Sequence, residues 1–204
     1  VNLNYFYDRA VNKEFKDIDI FLNNFQQSLY KLQHAKFPVV SCPSGLAIGG
    51  GYEVISQTSF IAAHSNSVLG LVESLVGLIP AGGGCKEMLR RWANHSDIKN
   101  DPKQLSLKVF NLIGYATTAD SPIKAKAQQF LGEKDIMVMS KDRLIEEADK
   151  IIFSNKENYS SLDSATFSLP GSTVMSDMMD ILYELKDKKV IGEHGIEVGK
   201  KLGY

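Results

Sequence analysis

Two runs of three consecutive glycines, each directly before a segment with helical character, constrain the fold of this chain more than any other feature. The first run is Gly49-Gly50-Gly51, one turn before Glu53, and the second is Gly82-Gly83-Gly84, before a predicted helix from Cys85 to Trp92. Glycine tolerates tight backbone turns and close approaches that a side chain forbids. We therefore expect two tight turns, each exposing the unpaired N–H groups and the positive dipole end of a helix N-terminus.

These glycine runs do not match the common nucleotide-binding motifs. A dinucleotide fingerprint needs the spacing G-x-G-x-x-G, which Gly45-x-x-x-Gly49-Gly50-Gly51 lacks. A phosphate-binding loop needs Gly-Lys followed by Ser or Thr, whereas Gly84 is followed by Cys85, Lys86 and Glu87. A turn that feeds a helix N-terminus can instead form an oxyanion hole.

Two glutamates stand near these turns. Glu53 lies in the helix after the first run, and Glu73 ends the apolar stretch Leu69–Val72, where a charge is costly without a partner or a task. If the fold brings them together over a water molecule, burial and repulsion would split their pKa values into one acid and one base. The alternatives are that Glu53 only favours its helix start, that the glycines only permit close packing, and that Glu73 pairs with a lysine.

Composition excludes several classes of protein. The 204 residues are 44% apolar and 23% charged with a net charge of −1, which fits an ordinary globular protein without a global field for nucleic acid. The two cysteines and four histidines show no metal-ligand spacing, so we expect no metal site. No apolar run is long enough to cross a bilayer and the first residues do not resemble a signal peptide, so we expect a cytoplasmic protein.

Hydrophobic periodicity and turn residues predict short strands and helices in residues 1–100 and a mostly helical portion in residues 101–204. The predicted helices span residues 15–33, 85–92, 102–115, 122–131, 141–153 and 174–189. The predicted strands and extended segments span residues 37–41, 59–63, 67–73 and 136–139. We expect a loop over 155–173, a glycine-interrupted tail after 189, and no internal sequence repeat.

Two segments resemble the crotonase (enoyl-CoA hydratase) superfamily. They are VVSCPSGLAIGGGYEV at residues 39–54 and GLVESLVGLIPAGGG at residues 70–84. The resemblance covers Val1 to about Arg91, and the helical remainder resembles the crotonase portion of bacterial fusion proteins that carry an NAD-dependent 3-hydroxyacyl-CoA dehydrogenase. It implies an α/β fold, a crotonase-like spiral of short strands and helices with a mostly helical C-terminal half, in which the family's first strands would lie before Val1.

The resemblance also implies an activity and a site. Glu53 and Glu73 match the two catalytic glutamates of the family, and Gly50 matches the residue whose backbone N–H binds the thioester oxygen. The second oxyanion donor would be the N–H of Val1, at the tail of an Ala-Gly-Ala-Asp-like motif. Two glutamates favour an enoyl-CoA hydratase of fatty-acid β-oxidation, adding water in syn fashion to trans-2-enoyl-CoA. The alternatives are an enoyl-CoA isomerase and a non-catalytic remnant or assembly subunit of the same fold.

The same resemblance gives expectations about ligands and partners. We expect no tightly bound cofactor and a substrate carried as a coenzyme A thioester. We also expect a homo-oligomer, or a fused or associated 3-hydroxyacyl-CoA dehydrogenase. Because half of the oxyanion hole would depend on the terminal Val1, we expect little activity from these 204 residues alone.

Overall fold

Short strands and longer helices alternate along the chain in a computed structural model, which describes residues 2–98, 100–162 and 166–204. The helices of this part are α1 (Leu3–Val11), α2 (Phe15–Gln33), α3 (Gly50–Ser56), α4 (Gly84–Ala93), α5 (Pro102–Gly114), α6 (Pro122–Ala127), α7 (Leu144–Asn155), α8 (Ser172–Asp187) and α9 (Glu193–Gly203), with 3-10 helices at Glu73–Val76 and Lys141–Arg143. Its strands are β1 (Val40–Ser41), β2 (Leu46–Ile48), β3 (Phe60–His64), β4 (Val68–Gly70), β5 (Thr118–Ala119) and β6 (Ile136–Val138).

The first four strands alternate between two small sheets. One sheet has the order β1-β3-β6 with parallel pairing, and the other has the order β2-β4-β5 with β5 antiparallel. The register pairs Val40 with Phe60 in the first sheet and Ile48 with Gly70 in the second. Over these four strands the chain winds as a spiral, because β3 returns beside β1 and β4 returns beside β2.

This spiral contains a structural repeat. The unit β1-β2-α3 is followed by β3-β4, the first 3-10 helix and α4, and each unit ends in a glycine run that begins a helix. The repeat has no counterpart as a sequence repeat, because strands of two to five residues carry too little sequence for a pattern. Its consequence is that both glycine runs lie at equivalent junctions of the spiral.

One hydrophobic core joins the two halves of the chain. Tyr52, Leu69 and Met88 from the first hundred residues are fully buried in the same cluster as Val109 and Ile113 from α5. A second cluster, around Met178 on α8 and Ile196 on α9, packs on the far side of α5 through Phe110. The division into 1–100 and 101–204 stays a prediction, and the shared core makes the two portions parts of one packed unit.

The sequence-based bounds agree with most helices of the structure, but they extend α6 too far. The predicted helix over 15–33 coincides with α2, whereas α6 ends at Ala127 rather than near residue 131. The chain leaves the helix through Gln129, which has a left-handed φ of 59°. Phe130 is completely buried and its carbonyl oxygen accepts a hydrogen bond from the Tyr52 hydroxyl at 3.1 Å. Tertiary packing therefore ends α6 at Ala127, although the apolar pattern of the sequence continues beyond it.

The C-terminal tail is a helix, contrary to the sequence-based expectation. Its glycines do not break α9, because they allow it to pack closely on α8. A Cβ atom built at Gly199 would lie 2.6 Å from Leu182 Cδ1, closer than any side chain could come. Packing against Leu182 and Met178 therefore overrides the low helix propensity of glycine here.

Candidate active site

The first glycine run turns the chain from β2 into α3 and so places Glu53. Gly49 has a φ of 56° and its N–H donates to Gly70 O at 2.8 Å, which extends the β2–β4 pairing up to the turn. The Glu53 N–H then donates to Gly49 O at 3.0 Å. Glu53 is thus held one turn into a helix whose start is tied to the end of β4.

The Glu53 carboxylate is buried against the second glycine run. Its side chain is almost fully enclosed, at 2% exposure, and Oε1 accepts hydrogen bonds from the N–H groups of Gly82 at 2.8 Å and Gly84 at 2.9 Å. Burial raises the pKa of Glu53, and the N–H groups of the 82–84 turn oppose that rise. Glu53 is therefore neither a surface group nor a simple helix-start residue, because its carboxylate is buried and bound by the second glycine run.

Glycine is required in the second run by this close approach. A Cβ atom at Gly82 would lie 2.7 Å from Glu53 Oε2, and one at Gly84 would lie 3.1 Å from Glu53 Oε1. Neither distance leaves normal room for a methyl group beside a carboxylate oxygen. The glycines of this turn let the backbone donate directly to Glu53.

Glu73 approaches the same place from the end of β4. It begins the first 3-10 helix, and its Oε1 lies 3.2 Å from where a Cβ would stand on Gly49. Its Oε2 is buried without a hydrogen-bond partner among the described residues. Burial, with a smaller contribution from the charge of Glu53, raises the pKa of Glu73 to about 7. The two carboxylates are close enough for the charge of Glu53 to raise the pKa of Glu73, and they differ in the hydrogen bonds that their oxygens accept.

Cys85 is the third titratable group at this place. Burial raises the pKa of its thiol to about 12, and the charges of Glu53 and Glu73 act in the same direction. A thiol with this pKa stays protonated near neutral pH, so Cys85 has no nucleophilic character here.

The predicted oxyanion donors differ in what the structure describes of them. Gly50 is the first residue of α3, so its N–H has no acceptor within the helix. The left-handed backbone angle falls on Gly49 rather than on Gly50. Val1 lies outside the described residues, and the described chain begins with Asn2 capping α1 through the Asn4 N–H.

A buried ionic network behind the site escapes sequence reasoning. Glu87 is completely buried and its carboxylate binds Arg90 Nε at 2.9 Å and Arg91 Nε at 2.8 Å. Burial opposes ionisation, but the two guanidinium groups lower the pKa of Glu87 overall. Arg91 also donates to Phe130 O at 3.1 Å, so the network fixes α4, whose first turn binds Glu53. The spacing of Glu87, Arg90 and Arg91 along one helix face is the sequence signal for it.

The described part of the chain shows neither a metal-binding cluster nor a helix that could cross a membrane. Within residues 2–98, 100–162 and 166–204, no three His, Cys, Asp or Glu side chains gather in a way that could hold a metal ion. None of the helices in those ranges combines the length and the apolar character that a bilayer crossing needs.

Comparison with known proteins assigns the family. The sequence profile described as Enoyl-CoA hydratase/isomerase matches residues 7–100. A Bacillus subtilis protein named "Probable 3-hydroxyacyl-CoA dehydrogenase" is 31% identical over 93% of this chain. The chain belongs to the crotonase (enoyl-CoA hydratase) superfamily. A Rickettsia felis protein named "Putative fatty acid oxidation complex trifunctional enzyme" is 33% identical over 70% of the chain. The chain spans 24% and 19% of the lengths of these two proteins.

Solved structures confirm the crotonase-like α/β fold. An enoyl-CoA hydratase from Bacillus anthracis aligns with a TM-score of 0.56 and 18% identity, covering 92% of this chain and 60% of that protein. An enoyl-CoA hydratase/isomerase from Cupriavidus metallidurans aligns with a TM-score of 0.60 and 12% identity, covering 100% of this chain and 64% of that one. At these identities the crotonase structures establish the fold and leave the reaction to the residues of the site.

Proposed function

We propose that this crotonase-family chain hydrates trans-2-enoyl-CoA thioesters, with Glu53 and Glu73 as the catalytic pair. The observation that carries the proposal is the unequal environment of the two buried carboxylates. Glu53 accepts two backbone N–H bonds that favour its charged form, whereas Glu73 has one oxygen without a hydrogen-bond partner among the described residues and a pKa of about 7. One group is thus suited to accept a proton near neutral pH and the other to donate one.

The reaction follows from this inequality. Glu53 takes a proton from a water molecule, whose oxygen forms a bond to the β-carbon of the substrate. The electron pair of the double bond moves toward the thioester, where the Gly50 N–H stabilises the oxygen that gains negative charge. Glu73 then donates its proton to the α-carbon, which completes the addition of water. A proton returns from Glu53 to Glu73 through solvent, and the pair is ready for the next substrate.

The same balance accounts for the expected absence of a tightly bound cofactor. Addition of water to a double bond changes no net oxidation state, so the step needs no redox group. Coenzyme A enters as the carrier of the acyl group. The N–H of Val1 is proposed as the second donor to the thioester oxygen, and this residue lies outside the described ones.

Two substrates distinguish hydration from double-bond migration. In a chain that carries additional upstream sequence, we expect crotonoyl-CoA to be converted to 3-hydroxybutyryl-CoA, with Glu53→Gln and Glu73→Gln both losing this activity. An isomerase moves one proton with one carboxyl group, so it would convert a 3-enoyl-CoA and would lose this activity in only one of the two glutamine variants. A chain that turns over neither substrate, tested with and without additional upstream sequence, would support the non-catalytic alternative.

We further propose that a fused or associated 3-hydroxyacyl-CoA dehydrogenase consumes the product. Support comes from the printed names of the B. subtilis and R. felis relatives and from the product itself, whose new hydroxyl group is the one such an enzyme oxidises. Purification from the source cells should recover NAD-dependent oxidation of 3-hydroxybutyryl-CoA together with the hydratase. Separation of the two activities without loss of either would contradict this association. Homo-oligomerisation stays a prediction, which analytical ultracentrifugation would test.

A further inference from the structure

The backbone that carries Glu73 is a short turn closed on itself. The Leu78 N–H donates to Glu73 O at 3.1 Å, and the Gly77 N–H donates to Ser74 O at 3.2 Å. Gly77 ends the turn in a left-handed conformation with a φ of 74°. The position of the Glu73 side chain therefore depends on whatever holds residues 73–78, here called the Glu73 turn, against the rest of the protein.

Hydrophobic burial holds this turn only weakly. Leu75 is 75% exposed, Val76 54% and Leu78 44%. Beneath Ser74 lies an apolar cavity, lined by residues of α5, α8 and α9 that include Phe110, rather than a tightly packed core. A segment with exposed apolar side chains and a cavity beneath it gains little from packing, so its tertiary hydrogen bonds matter more.

Two such hydrogen bonds attach the turn to the C-terminal half. The Ser74 hydroxyl donates to Ile113 O of α5 at 3.0 Å, and His194 Nε2 lies 3.0 Å from Gly77 O. A carbonyl oxygen only accepts, so Nε2 must carry the proton in this contact. Both the Nε2–H tautomer of neutral histidine and the histidine cation meet that requirement, so the bond does not depend on the charge of the ring.

The fit between His194 and Gly77 is close. A Cβ atom at Gly77 would lie 2.7 Å from His194 Nε2, so the imidazole rests directly on the glycine. His194 is near the start of α9, which packs on α8 through Gly199 and Ile196. The histidine thereby links a well-packed helix to the weakly packed end of the Glu73 turn.

We propose that His194 is a positioning residue for Glu73: through its bond to Gly77 O it holds the Glu73 turn closed, and so keeps the proton-donating carboxyl group buried and aligned. This inference rests on the proposed hydratase function. The titratable groups that face Glu73 are Glu53 on α3 and Cys85 on α4. The charged neighbours of His194 on its own helix are already paired, Glu193 with Lys186 at 2.6 Å and Glu197 with Lys200 at 2.8 Å.

Three variants of α9 test the proposal in the same full chain that shows activity. His194→Ala removes the hydrogen bond, and His194→Gln keeps an N–H donor at nearly the same reach from the backbone. Glu197→Gln is the matched control, because it breaks an exposed ion pair one turn further along the same helix. For each we would measure kcat and KM with crotonoyl-CoA over a range of pH, and hydrogen exchange at the Leu78 amide.

We expect His194→Ala to lower kcat about tenfold with little change in KM, because the donor is misplaced rather than the thioester. The pH limb that reports Glu73 should move to lower pH, since an opened turn admits water and reduces the effect of burial. Leu78 should exchange faster. His194→Gln and Glu197→Gln should resemble the wild type in all three measurements.

Two results would overturn the proposal. In one, His194→Ala matches Glu197→Gln in kcat and in its pH profile. In the other, His194→Gln loses as much activity as His194→Ala, so that the bond to Gly77 is not the cause. A wild-type chain that has no hydratase activity even with additional upstream sequence would instead refute the proposed function, and faster Leu78 exchange in His194→Ala would then still establish the contact as the closure of the turn.

Discussion

Glu53 follows β2 and Glu73 follows β4, its paired strand, yet the protein holds the two glutamates in opposite ways. Glu53 projects from a helix into a dense interior, where two backbone N–H groups bind its carboxylate and the Glu87–Arg91 network holds α4, whose first turn supplies one of them. Glu73 projects from a short turn with exposed apolar side chains and two tertiary hydrogen bonds. The contrast explains how two glutamates can have different protonation states: burial raises the pKa of both, and the N–H groups of the second glycine run counter that rise at Glu53, whereas at Glu73 burial outweighs the backbone hydrogen bonds and raises the pKa to about 7.

Replacement of either carboxyl group breaks this comparison most severely. In the complete enzyme, with its upstream sequence, we expect Glu53→Gln and Glu73→Gln each to lower the hydration rate by about a hundredfold to ten-thousandfold, the usual contribution of a general acid or base. Glutamine keeps the shape of the side chain, so the fold should survive, which circular dichroism would check. Near-wild-type turnover by either folded variant would remove that residue from the mechanism.

Substitution at Gly50 tests the proposed oxyanion donor, which would bind the thioester oxygen while the two carboxyl groups move protons. Gly50→Val should abolish detectable activity, since a side chain there crowds the thioester, and loss of one donor alone costs about a hundredfold to a thousandfold. Gly50 begins a helix, so the backbone itself tolerates valine better than Gly49 would. Thermal melting separates the cases: a folded variant with normal turnover would refute the oxyanion role.

A pair of glycine variants tests how closely the protein packs around Glu53. Gly82→Ala forces a methyl group against the ring of Phe25 and to within 2.7 Å of Glu53 Oε2, and it should reduce the free energy of unfolding by about 1–3 kcal/mol. Gly51→Ala is the matched control, because its added Cβ meets no atom within 4 Å. In the helix it should leave stability unchanged or raise it by about 0.5–1 kcal/mol. Urea unfolding measures both, and equal effects would mean that the 82–84 turn is not closely packed on Glu53.

The raised pKa of Glu73 predicts that stability depends on pH, with an effect smaller than those of the substitutions above. Because the pKa of Glu73 is raised from 4.5 to about 7, the folded state binds more protons than the unfolded state between these values. Its contribution to stability is complete below the lower value and is lost as pH rises through the upper one. Glu73→Gln does not titrate, so the stability of the wild type relative to this variant should decline over that range. A constant difference in urea unfolding between about pH 5 and about pH 8 would contradict the raised pKa.

Sequence reasoning reached most elements that carry local signals, although it missed α1 despite its Asn2 cap, and it missed features set by packing. The apolar spacing of α2 and the Asp101 cap before Pro102 on α5 predict those helices because each signal lies within the helix itself. α9 was missed because its glycines are explained only by Leu182 on another helix. The end of α6 was missed for the same reason, since the contacts of Phe130 come from residues far away in the chain.

The candidate site was reached in a similarly uneven way. The glycine runs and the costly position of Glu73 predict a carboxylate pair beside a tight turn, and the resemblance supplies the substrate class. The sequence could not reveal that the second glycine run binds Glu53, because that contact joins residues about thirty positions apart. It also could not distinguish the environments of the two glutamates, which depend on the burial and hydrogen bonds of the finished fold.

The most direct test of this account is a titration of the two carboxyl groups in the free protein. Carbon NMR of glutamate-labelled protein resolves individual carboxyl signals, and the signals missing in Glu53→Gln and Glu73→Gln assign the pair. The account predicts that Glu73 titrates at about pH 7 and that Glu53, with its backbone donors, titrates at lower pH. Titration of Glu73 in the ordinary range of glutamate, or of both groups together, would contradict the division into a proton acceptor and a proton donor.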